Sequence, residues 1–538
     1  MRKTPSWWTK WRLPHPTFES TKSAATGKSL EPILYPSQYM ASNPQQILAQ
    51  LKQAAALFEG GRARQANELA SEVLKKEPRN VHALRIFALS AANSMQWPEA
   101  MKAAEKALKL SPTDPGVLAT NSTVLIAGGR FEEALAKART ARRIAPNDPR
   151  AYGNYTECLI WTGQFQACAD LLQERADAGR LTPGTAGSFV GSCFELGRYD
   201  EAIKAAREFL DAHGANQPPV VTRPLYSLLG RSLEKAGLSA EAVLVYEEMN
   251  TLVEGQFDVA EADQLTDRVI QAFPADHYEG RGGSANAQSR LPVFIVGLPR
   301  SGTSLLERVV GAHPDAHGVG ETSLLDELLM THLGAVGPKL AFMAAEADDA
   351  MLERIRADYL RGLQLQGGRK QRIANKSLML PRQVGIIGML FPRATILVTD
   401  RDLHDTAISI WANLFDPTRM AWTSRLEWIG AMAAMHLRMM KHWTETLPNP
   451  VLTVDYRQLA KNPKETVPKI IEACGLPWND ACLSPETAAT KKKSGRFSPT
   501  LSEQQLRRPI NTSSIGRAEA FAEKIAEFQK GFDSIRKD

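Results

Sequence analysis

The chain has 538 residues, a formal net charge of +6 and 43% hydrophobic residues, which is ordinary for a soluble globular protein of two to four domains. The charge is too small for this length to indicate a nucleic-acid-binding protein, although it suits an anionic ligand. Five cysteines are scattered without a Cys-x-x-Cys pair, so we expect free thiols in a reducing compartment and neither disulfides nor a structural zinc site.

The N-terminal segment, residues 1–43, carries basic residues and a cluster formed by Trp7, Trp8 and Trp11, but no apolar stretch typical of a secretory signal. We expect a flexible segment whose tryptophans either pack on the chain itself or touch a membrane surface. No run of about 18 apolar residues occurs anywhere in the chain, so no transmembrane helix is expected, and the predicted location is cytoplasmic.

An internal repeat with a period of 34 residues fills the first half of the chain. It is clearest in two sets of residues: Pro78, Pro112 and Pro146, and Ala66, Ala100 and Ala134. Each of these alanines begins a second helix after a turn, and a small residue recurs one helical turn later, where two helices must approach closely. A helix–turn–helix unit of this length resembles the tetratricopeptide repeat.

About six such repeats are predicted over residues 44–252, and they would stack into a right-handed solenoid with a concave groove. Two functions for the solenoid remain open. The groove could bind a peptide or protein partner, or the repeats could serve as a scaffold that packs on the rest of the chain or forms a homodimer.

A connecting helix and linker are expected over residues 253–290, since residues 280–290 read Gly-Arg-Gly-Gly-Ser-Ala-Asn-Ala-Gln-Ser-Arg. From residue 291, strand-like apolar runs alternate with helical stretches. These runs are Val293–Val296, Arg372–Asn375, Ala394–Thr399 and Val451–Val454. The pattern predicts an α/β domain with a mostly parallel sheet over residues 291–538, in which ligands bind beyond the carboxyl ends of the strands.

The first of these strands leads into a loop with Gly297 and Gly302 at its ends, followed by the apolar periodicity of a helix. Backbone N–H groups and a helix N-terminus in such a loop bind phosphate. The spacing is that of a P-loop, yet Thr303 stands where the P-loop has its lysine, and the loop cation is Arg300. A phosphate site that does not use ATP with magnesium is predicted. An NTP-dependent kinase or NTPase, with Asp400 as a magnesium ligand, is the alternative.

Residues 299–304, Pro-Arg-Ser-Gly-Thr-Ser, resemble the 5′-phosphosulfate loop of sulfotransferases, particularly the tyrosylprotein sulfotransferases and their bacterial relatives. These enzymes have a P-loop-like α/β fold, use 3′-phosphoadenosine 5′-phosphosulfate (PAPS) as donor and need no metal. The resemblance implies that the cofactor is bound by five consecutive loop residues, Arg300, Ser301, Gly302, Thr303 and Ser304, and that Arg300 also acts in catalysis.

Two further segments resemble catalytic positions of these enzymes. Glu321, in a Gly-Glu context, matches the general base that removes the proton of a hydroxyl acceptor. His317 is the alternative base, because cytosolic small-molecule sulfotransferases use a histidine. Lys376 follows the predicted strand Arg372–Asn375 and matches the lysine that neutralises the bridging oxygen as the sulfuryl group departs.

Arg401 ends an apolar strand and Ser409 follows eight residues later, so both could converge on one anion, for which guanidinium offers parallel donors. The pair resembles the element that binds the 3′-phosphate of PAPS, although Asp400 stands where a second arginine is common. Because neighbouring strand residues point to opposite faces, Asp400 is expected to point away. The alternative is a surface ion pair of Arg401 with Asp402 or Asp405.

The segment Thr500–Arg517 resembles the nucleotide-closing segment of repeat-containing bacterial sulfotransferases. Ser502 matches a serine near the transferred group, and Arg508 (or Arg507) and Arg517 match cations that close over the cofactor. Ala518 stands where a tryptophan is usual, so some packing is lost.

Together these motifs predict a PAPS-dependent sulfotransferase whose acceptor is a hydroxyl group of a protein tyrosine, a saccharide or a small molecule. A repeat scaffold with an inactive transferase domain is the remaining alternative.

Overall fold

A computed structural model describes residues 44–94, 96–280, 283–334, 339–378, 380–487 and 509–535. The predicted N-terminal segment 1–43 lies outside these residues.

The first half of the described chain consists of helices in consecutive pairs. Six pairs occupy residues 44–251: α1 Pro44–Glu59, α2 Ala63–Lys76, α3 Val81–Asn93, α4 Trp97–Leu110, α5 Pro115–Ala127, α6 Phe131–Ile144, α7 Pro149–Trp161, α8 Phe165–Asp177, α9 Pro183–Glu195, α10 Tyr199–His213, α11 Pro219–Lys235 and α12 Ser239–Thr251. A further helix, α13 Val259–Gln271, leads toward the second half.

The 34-residue period has a packing cause and a capping cause. Ala66, Ala100 and Ala134 are completely buried, since only a small side chain lets the two helices of a pair approach closely. Asp114 accepts a hydrogen bond from the N–H of Val117 at 2.8 Å at the start of α5. Asp148, 34 residues later, caps α7 in the same way. An aspartate before proline is a strong helix start, so these two repeats encode where their first helix begins.

The segment that joins the two halves contacts the second half. Ser284 donates to a carboxylate oxygen of Glu353 at 2.6 Å, and the side chain of Arg393 donates to Gln288 at 3.2 Å. Its described residues, 283–290, therefore pack on the following domain. The predicted domain boundaries at residues 252 and 291 stay predictions.

The second half contains a five-stranded sheet in the order β2-β3-β1-β4-β5, in which every pair is parallel. The strands are β1 Pro292–Val296, β2 Ala316–Gly318, β3 Arg372–Asn375, β4 Thr395–Asp400 and β5 Val451–Asp455. Strand β1 is central and all five of its residues are buried, as expected for a strand covered on both faces. β2 was not predicted, because three residues are too few for a periodic signal.

Helices cover both faces of the sheet. They are α14 Thr303–Gly311, α15 Leu324–Leu333, α16 Lys339–Ala345, α17 Asp349–Gly367, α18 Leu380–Leu390, α19 Leu403–Trp411, α20 Leu426–Thr446, α21 Tyr456–Lys461, α22 Pro463–Ala473 and α23 Ala522–Ile535. Phe294 and Val296 enter one hydrophobic cluster, and Val293 and Ile295 enter another. The predicted fold class, a helical repeat solenoid followed by an α/β domain with a parallel sheet, is confirmed.

The last repeat packs directly on α19. The Tyr246 ring lies edge-on to Trp411 with 5.6 Å between the centroids. Ser227 donates to the carbonyl of Ala412 at 3.3 Å, and Asn250 donates to the carbonyl of Trp411 at 3.0 Å. A single hydrophobic cluster runs from the repeats into α19 and α20, so the solenoid is fixed to the domain that follows it.

All five cysteines are buried free thiols. Among the described helices, none is both long and apolar enough to cross a membrane.

Candidate active site

The loop between β1 and α14 can be formed only with glycine at both ends. A Cβ atom on Gly297 would lie 2.0 Å from the hydroxyl oxygen of Thr399, and one on Gly302 would lie 2.5 Å from the ring of Tyr456. Gly302 also has φ of +104°, which L-residues with side chains rarely adopt. The two glycines therefore let the loop pass between the end of β4 and Tyr456.

Inside the loop, Ser301 is buried and bonds to the protein itself. Its hydroxyl donates to the carbonyl of Leu298 at 2.6 Å and lies 2.6 Å from the hydroxyl of Thr399. Thr303 and Ser304 begin α14, and the first-turn N–H groups of a helix have no carbonyl partner within it. The loop thus presents backbone donors and the positive end of a helix dipole at the carboxyl edge of the sheet.

Arg300 is the one non-glycine residue of the described chain with positive φ, at 67°. Such strain often marks a functional position. Its Nε atom donates to the Ser409 hydroxyl at 3.1 Å, which ties the loop to α19. Burial, followed by the neighbouring cations Arg517, Arg231 and Arg401, lowers the pKa of Arg300 to about 9. A buried guanidinium among like charges is favourable for an incoming anion.

Arg401 spans the loop and the C-terminal segment. It donates to the carbonyl of Arg300 at 2.6 Å and to the carbonyl of Ser514, and its guanidinium lies 4.8 Å from the centre of the Tyr456 ring. Its Nε atom is buried and has no hydrogen-bond partner in the part of the chain that the structure describes. Since a buried charged donor without a partner is costly, this atom fits an anionic ligand.

The surface ion pair proposed as an alternative for Arg401 is not formed among the described residues. Asp402 accepts from the N–H of Asp405 at 2.8 Å and caps α19. Asp405 accepts from the N–H groups of Gly516 and Ala518, both at 2.8 Å. Both carboxylates therefore hold backbone N–H groups in place and are not paired with Arg401. Asp400 is exposed at the end of β4.

Glu321 and Lys376 form an ion pair, with 2.7 Å between Oε1 and Nζ. They come together because they follow β2 and β3, which are adjacent parallel strands and end at the same edge of the sheet. The lysine side chain is only 2% exposed, whereas the glutamate is 32% exposed and lines the large cleft described below. A carboxylate that reaches solvent is therefore held by a buried ammonium group.

His317 takes a different position from Glu321. It lies inside β2, where it pairs with Ile373 of β3, and it is not among the residues that line the cleft. His313 lies four residues before His317. Its Nδ1 atom accepts from the N–H of Asp315 at 3.0 Å, and its Nε2 atom lies 2.8 Å from the carbonyl of Pro477, as expected for a turn residue.

The C-terminal candidates divide into two groups. Ser502, Arg507 and Arg508 lie outside the described residues. Arg517 is described, and its guanidinium forms a two-point ion pair with Glu234 of α11, with 2.9 Å between Nε and Oε2. Burial lowers the pKa of Arg517, but the ion pair with Glu234 outweighs it and raises the pKa above its ordinary value. An arginine predicted to close over a cofactor is thus held by the repeats.

A cleft of about 2340 Å³ joins these groups. Sequence reasoning missed the contribution of the repeats to it, because nothing local to those helices distinguishes a residue facing the cleft from one facing solvent. The lining includes Glu321, Arg300, Arg401 and Ser409, together with residues of four helix pairs of the repeats, among them Gly61, Arg62, Asn93, Gln96, Phe194, Glu195, Arg231 and Glu234. Tyr456 also lines it and contacts the loop.

Comparison with known families agrees with this arrangement. Residues 292–480 match the model of the sulfotransferase family. Residues 51–115, 125–182 and 194–251 match models of the tetratricopeptide repeat.

Among curated proteins, the chain is 28% identical over 356 residues to an uncharacterized protein of Aquifex aeolicus (strain VF5), covering 62% of this chain and 45% of that protein. It is 26% identical over 272 residues to a protein-tyrosine sulfotransferase of Drosophila melanogaster, covering 48% and 53%. With protein-tyrosine sulfotransferase 1 of Danio rerio it shares 24% over 234 residues, covering 42% and 64%.

The chain therefore spans about half the length of the first two relatives. The glycine-bounded loop and the parallel sheet lie in the segment that matches the sulfotransferase family, and the helix pairs before it match the tetratricopeptide repeat.

Proposed function

We propose that this chain transfers a sulfuryl group from PAPS to a hydroxyl group of an acceptor, a protein tyrosine or a saccharide. The observation that carries the proposal is the Glu321–Lys376 ion pair, at the same sheet edge as the arginine-containing loop. A proton acceptor and a buried cation beside a phosphate-type loop suit transfer of an anionic group to a hydroxyl. The family match of residues 292–480 supports the reaction class.

The hydrogen-bond donors of the site suit a nucleotide that carries anionic groups at both the 5′ and the 3′ position of its ribose. Residues 300–304 would hold the 5′-phosphosulfate through backbone N–H groups and the Arg300 guanidinium. Arg401, with its unpartnered Nε, and Ser409 would hold the 3′-phosphate. Arg517 would lie beside it, and Ser502 and Arg508 are assigned to the same site by resemblance alone. When bound, PAPS supplies the activated sulfuryl group.

The chain's own residues would then accept the proton of the acceptor and stabilise the negative charge that develops during transfer. The Glu321 carboxylate, which reaches the cleft, would accept the proton of the acceptor hydroxyl. Lys376, nearly inaccessible to water, would keep its positive charge close to the place where negative charge develops on the leaving side, and Arg300 would do the same from the loop. In a buried setting such charges act more strongly than in water.

The acceptor would enter the cleft between the repeats and the sheet edge. Two relatives are named protein-tyrosine sulfotransferases, which supports a tyrosine side chain, while a cleft of about 2340 Å³ also admits a saccharide. The repeat groove would hold a protein or peptide partner. Because all five cysteines are buried free thiols, we place the protein in a reducing compartment such as the cytoplasm.

The test is transfer of radiolabelled sulfuryl from PAPS to a panel of tyrosine peptides and saccharides, with a chelator present. We expect incorporation that does not depend on magnesium, because Thr303 replaces the lysine of nucleotide-hydrolysing P-loops. Phosphoryl transfer from ATP with magnesium, and none from PAPS, would overturn the proposal. Nucleotide binding without transfer to any acceptor would instead favour an inactive domain.

The base is assigned by a matched pair of variants. Glu321→Gln keeps the shape of the side chain but cannot accept a proton at neutral pH, so turnover should fall by about 10²–10⁴-fold with nucleotide affinity nearly unchanged. His317→Ala should remain active. Loss of activity in His317→Ala with retention in Glu321→Gln would transfer the role to His317.

A further inference from the structure

Arg231 of the last repeat lies in the cleft without an ion-pair partner among the described residues. It stands on α11 and lines the cleft together with Arg300 and Arg517. Its guanidinium lies 4.3 Å from the centre of the Phe194 ring, which holds the side chain by a cation–π contact. Within the described part of the chain, no carboxylate comes within ion-pair distance of Arg231.

Arg231 lies among other buried charged groups. Burial is the largest cause of its lowered pKa, Tyr246, Glu195 and Glu234 act in the opposite direction, and the charge of Arg517 adds to the lowering. Glu234 is already committed, since it accepts from Arg517 and from the Tyr246 hydroxyl. Arg231 in turn is close enough to Arg300 to lower its pKa. Converging buried cations are costly until an anion binds among them.

The order of the strands shows which end of the site Arg231 faces. Lys376 follows β3, on one side of β1, whereas Arg401 and α19 follow β4, on the other side. Glu234, on the same helix as Arg231, holds Arg517, whose segment is anchored on α19 through Asp405. Arg231 is therefore on the α19 side, away from the Glu321–Lys376 pair.

Contacts on both sides of Arg231 fix the position of α11. Ser227, on the same helix, donates to the carbonyl of Ala412 just beyond α19. Three residues after Arg231, Glu234 holds Arg517. These contacts on both sides keep Arg231 in a defined place in the cleft, as precise recognition of an anion requires.

We propose that Arg231 binds the 3′-phosphate of the nucleotide directly, so that the last repeat completes the nucleotide site of the sulfotransferase domain. This inference rests on the proposed function. Arg231 would bind it from the last repeat and Arg401 from the end of β4, and Glu234 would position Arg517 beside them. The repeats are then part of the donor site in addition to any role in acceptor binding.

The experiment measures nucleotide affinity of the full chain by calorimetry, with 3′,5′-bisphosphoadenosine and with adenosine 5′-monophosphate, which lacks the 3′-phosphate. Arg231→Met keeps an apolar stem on Phe194 but removes the charge, and Arg231→Lys keeps the charge but removes the planar fork. The control is Arg207→Met, on the exposed surface of α10, where Arg207 pairs with Glu241.

Arg231→Met should weaken binding of the bisphosphate by about tenfold to a hundredfold, as for one lost charge-assisted contact. The monophosphate should be unaffected, Arg231→Lys should lose less, and Arg207→Met should match the wild type. Unchanged bisphosphate affinity, or an equal loss for both nucleotides, would overturn the inference while leaving the proposed function standing.

Two further outcomes are decisive. A wild-type chain that does not bind the bisphosphate would overturn the proposed function and this inference together. If Arg231→Met does not fold, Arg231→Lys decides, because a loss confined to the bisphosphate supports direct contact and the absence of such a selective loss refutes it.

Discussion

Removing Glu321 should destabilise the protein more than removing its buried partner. Glu321→Ala leaves the Lys376 ammonium, 2% exposed, without its carboxylate, and breaking a buried pair in this way costs about 3–5 kcal/mol. Lys376→Met fills the space of the lysine stem and leaves a carboxylate that is 32% exposed. Because water can hydrate that carboxylate, we expect a cost of about 1 kcal/mol, in the range of exposed pairs.

Thermal unfolding measures this difference. For a domain of about 150–250 residues, 1 kcal/mol changes the melting temperature by about 2–4 °C. Glu321→Ala should therefore lower the melting temperature by about 6–20 °C and Lys376→Met by about 2–4 °C. Glu321→Gln keeps an oxygen that accepts from the ammonium group, so it should lie between the wild type and Glu321→Ala.

The double variant Glu321→Ala/Lys376→Met provides the control. With the buried charge gone, its melting temperature should be higher than that of Glu321→Ala, because the stability effects of substituting two residues in contact do not add. If Lys376→Met is the more damaging single variant, or if the double variant shows the sum of the two losses, the ion pair does not hold the ammonium and our account of the site is wrong.

Three other perturbations test separate parts of the structure. Arg401→Ala should weaken binding of 3′,5′-bisphosphoadenosine by about one to two decades and spare adenosine 5′-monophosphate, whereas equal losses in calorimetry would show that Arg401 does not bind the 3′-phosphate. Gly302→Ala forces a Cβ against the Tyr456 ring and should reduce affinity for both nucleotides, and unchanged affinities would contradict the required close approach. Burial lowers the pKa of His436 to about 4, so only the unfolded chain takes up a proton between about pH 6.5 and 4, and stability should fall by up to about 3 kcal/mol as the pH decreases through that window. His436→Met should remove this part of the pH dependence of unfolding. If the variant loses as much stability as the wild type between about pH 6.5 and 4, His436 is not the group responsible.

The features that sequence predicted are those with a local physical cause. The Gly297–Gly302 loop was recognisable because two positions allow no side chain, and β1 because five consecutive residues are buried on both faces. The 34-residue alanine period likewise reports a close helix contact within each repeat. Each of these structural requirements restricts residues that are close together in the chain, so it is visible as a pattern in a single sequence.

The features that sequence did not predict depend on contacts between distant segments. Arg517 was assigned to the cofactor by resemblance, and its ion pair with Glu234 joins residues 283 positions apart. No periodicity or motif on α11 marks Glu234 or Arg231 as facing a cleft. The same applies to Tyr456, whose contacts with Gly302 and Arg401 exist only because β5 lies beside β4.

These long-range contacts change how the repeats should be regarded. Glu234 of the last repeat neutralises Arg517, and Tyr246 of the same repeat packs on Trp411. Without the repeats, Arg517 would lose its carboxylate partner and the Trp411 ring would lose an apolar neighbour. Because burial of a charge requires its partner, the segment from 509 to 521 depends on α11 for its position, as the proposed contribution of the last repeat to the nucleotide site requires.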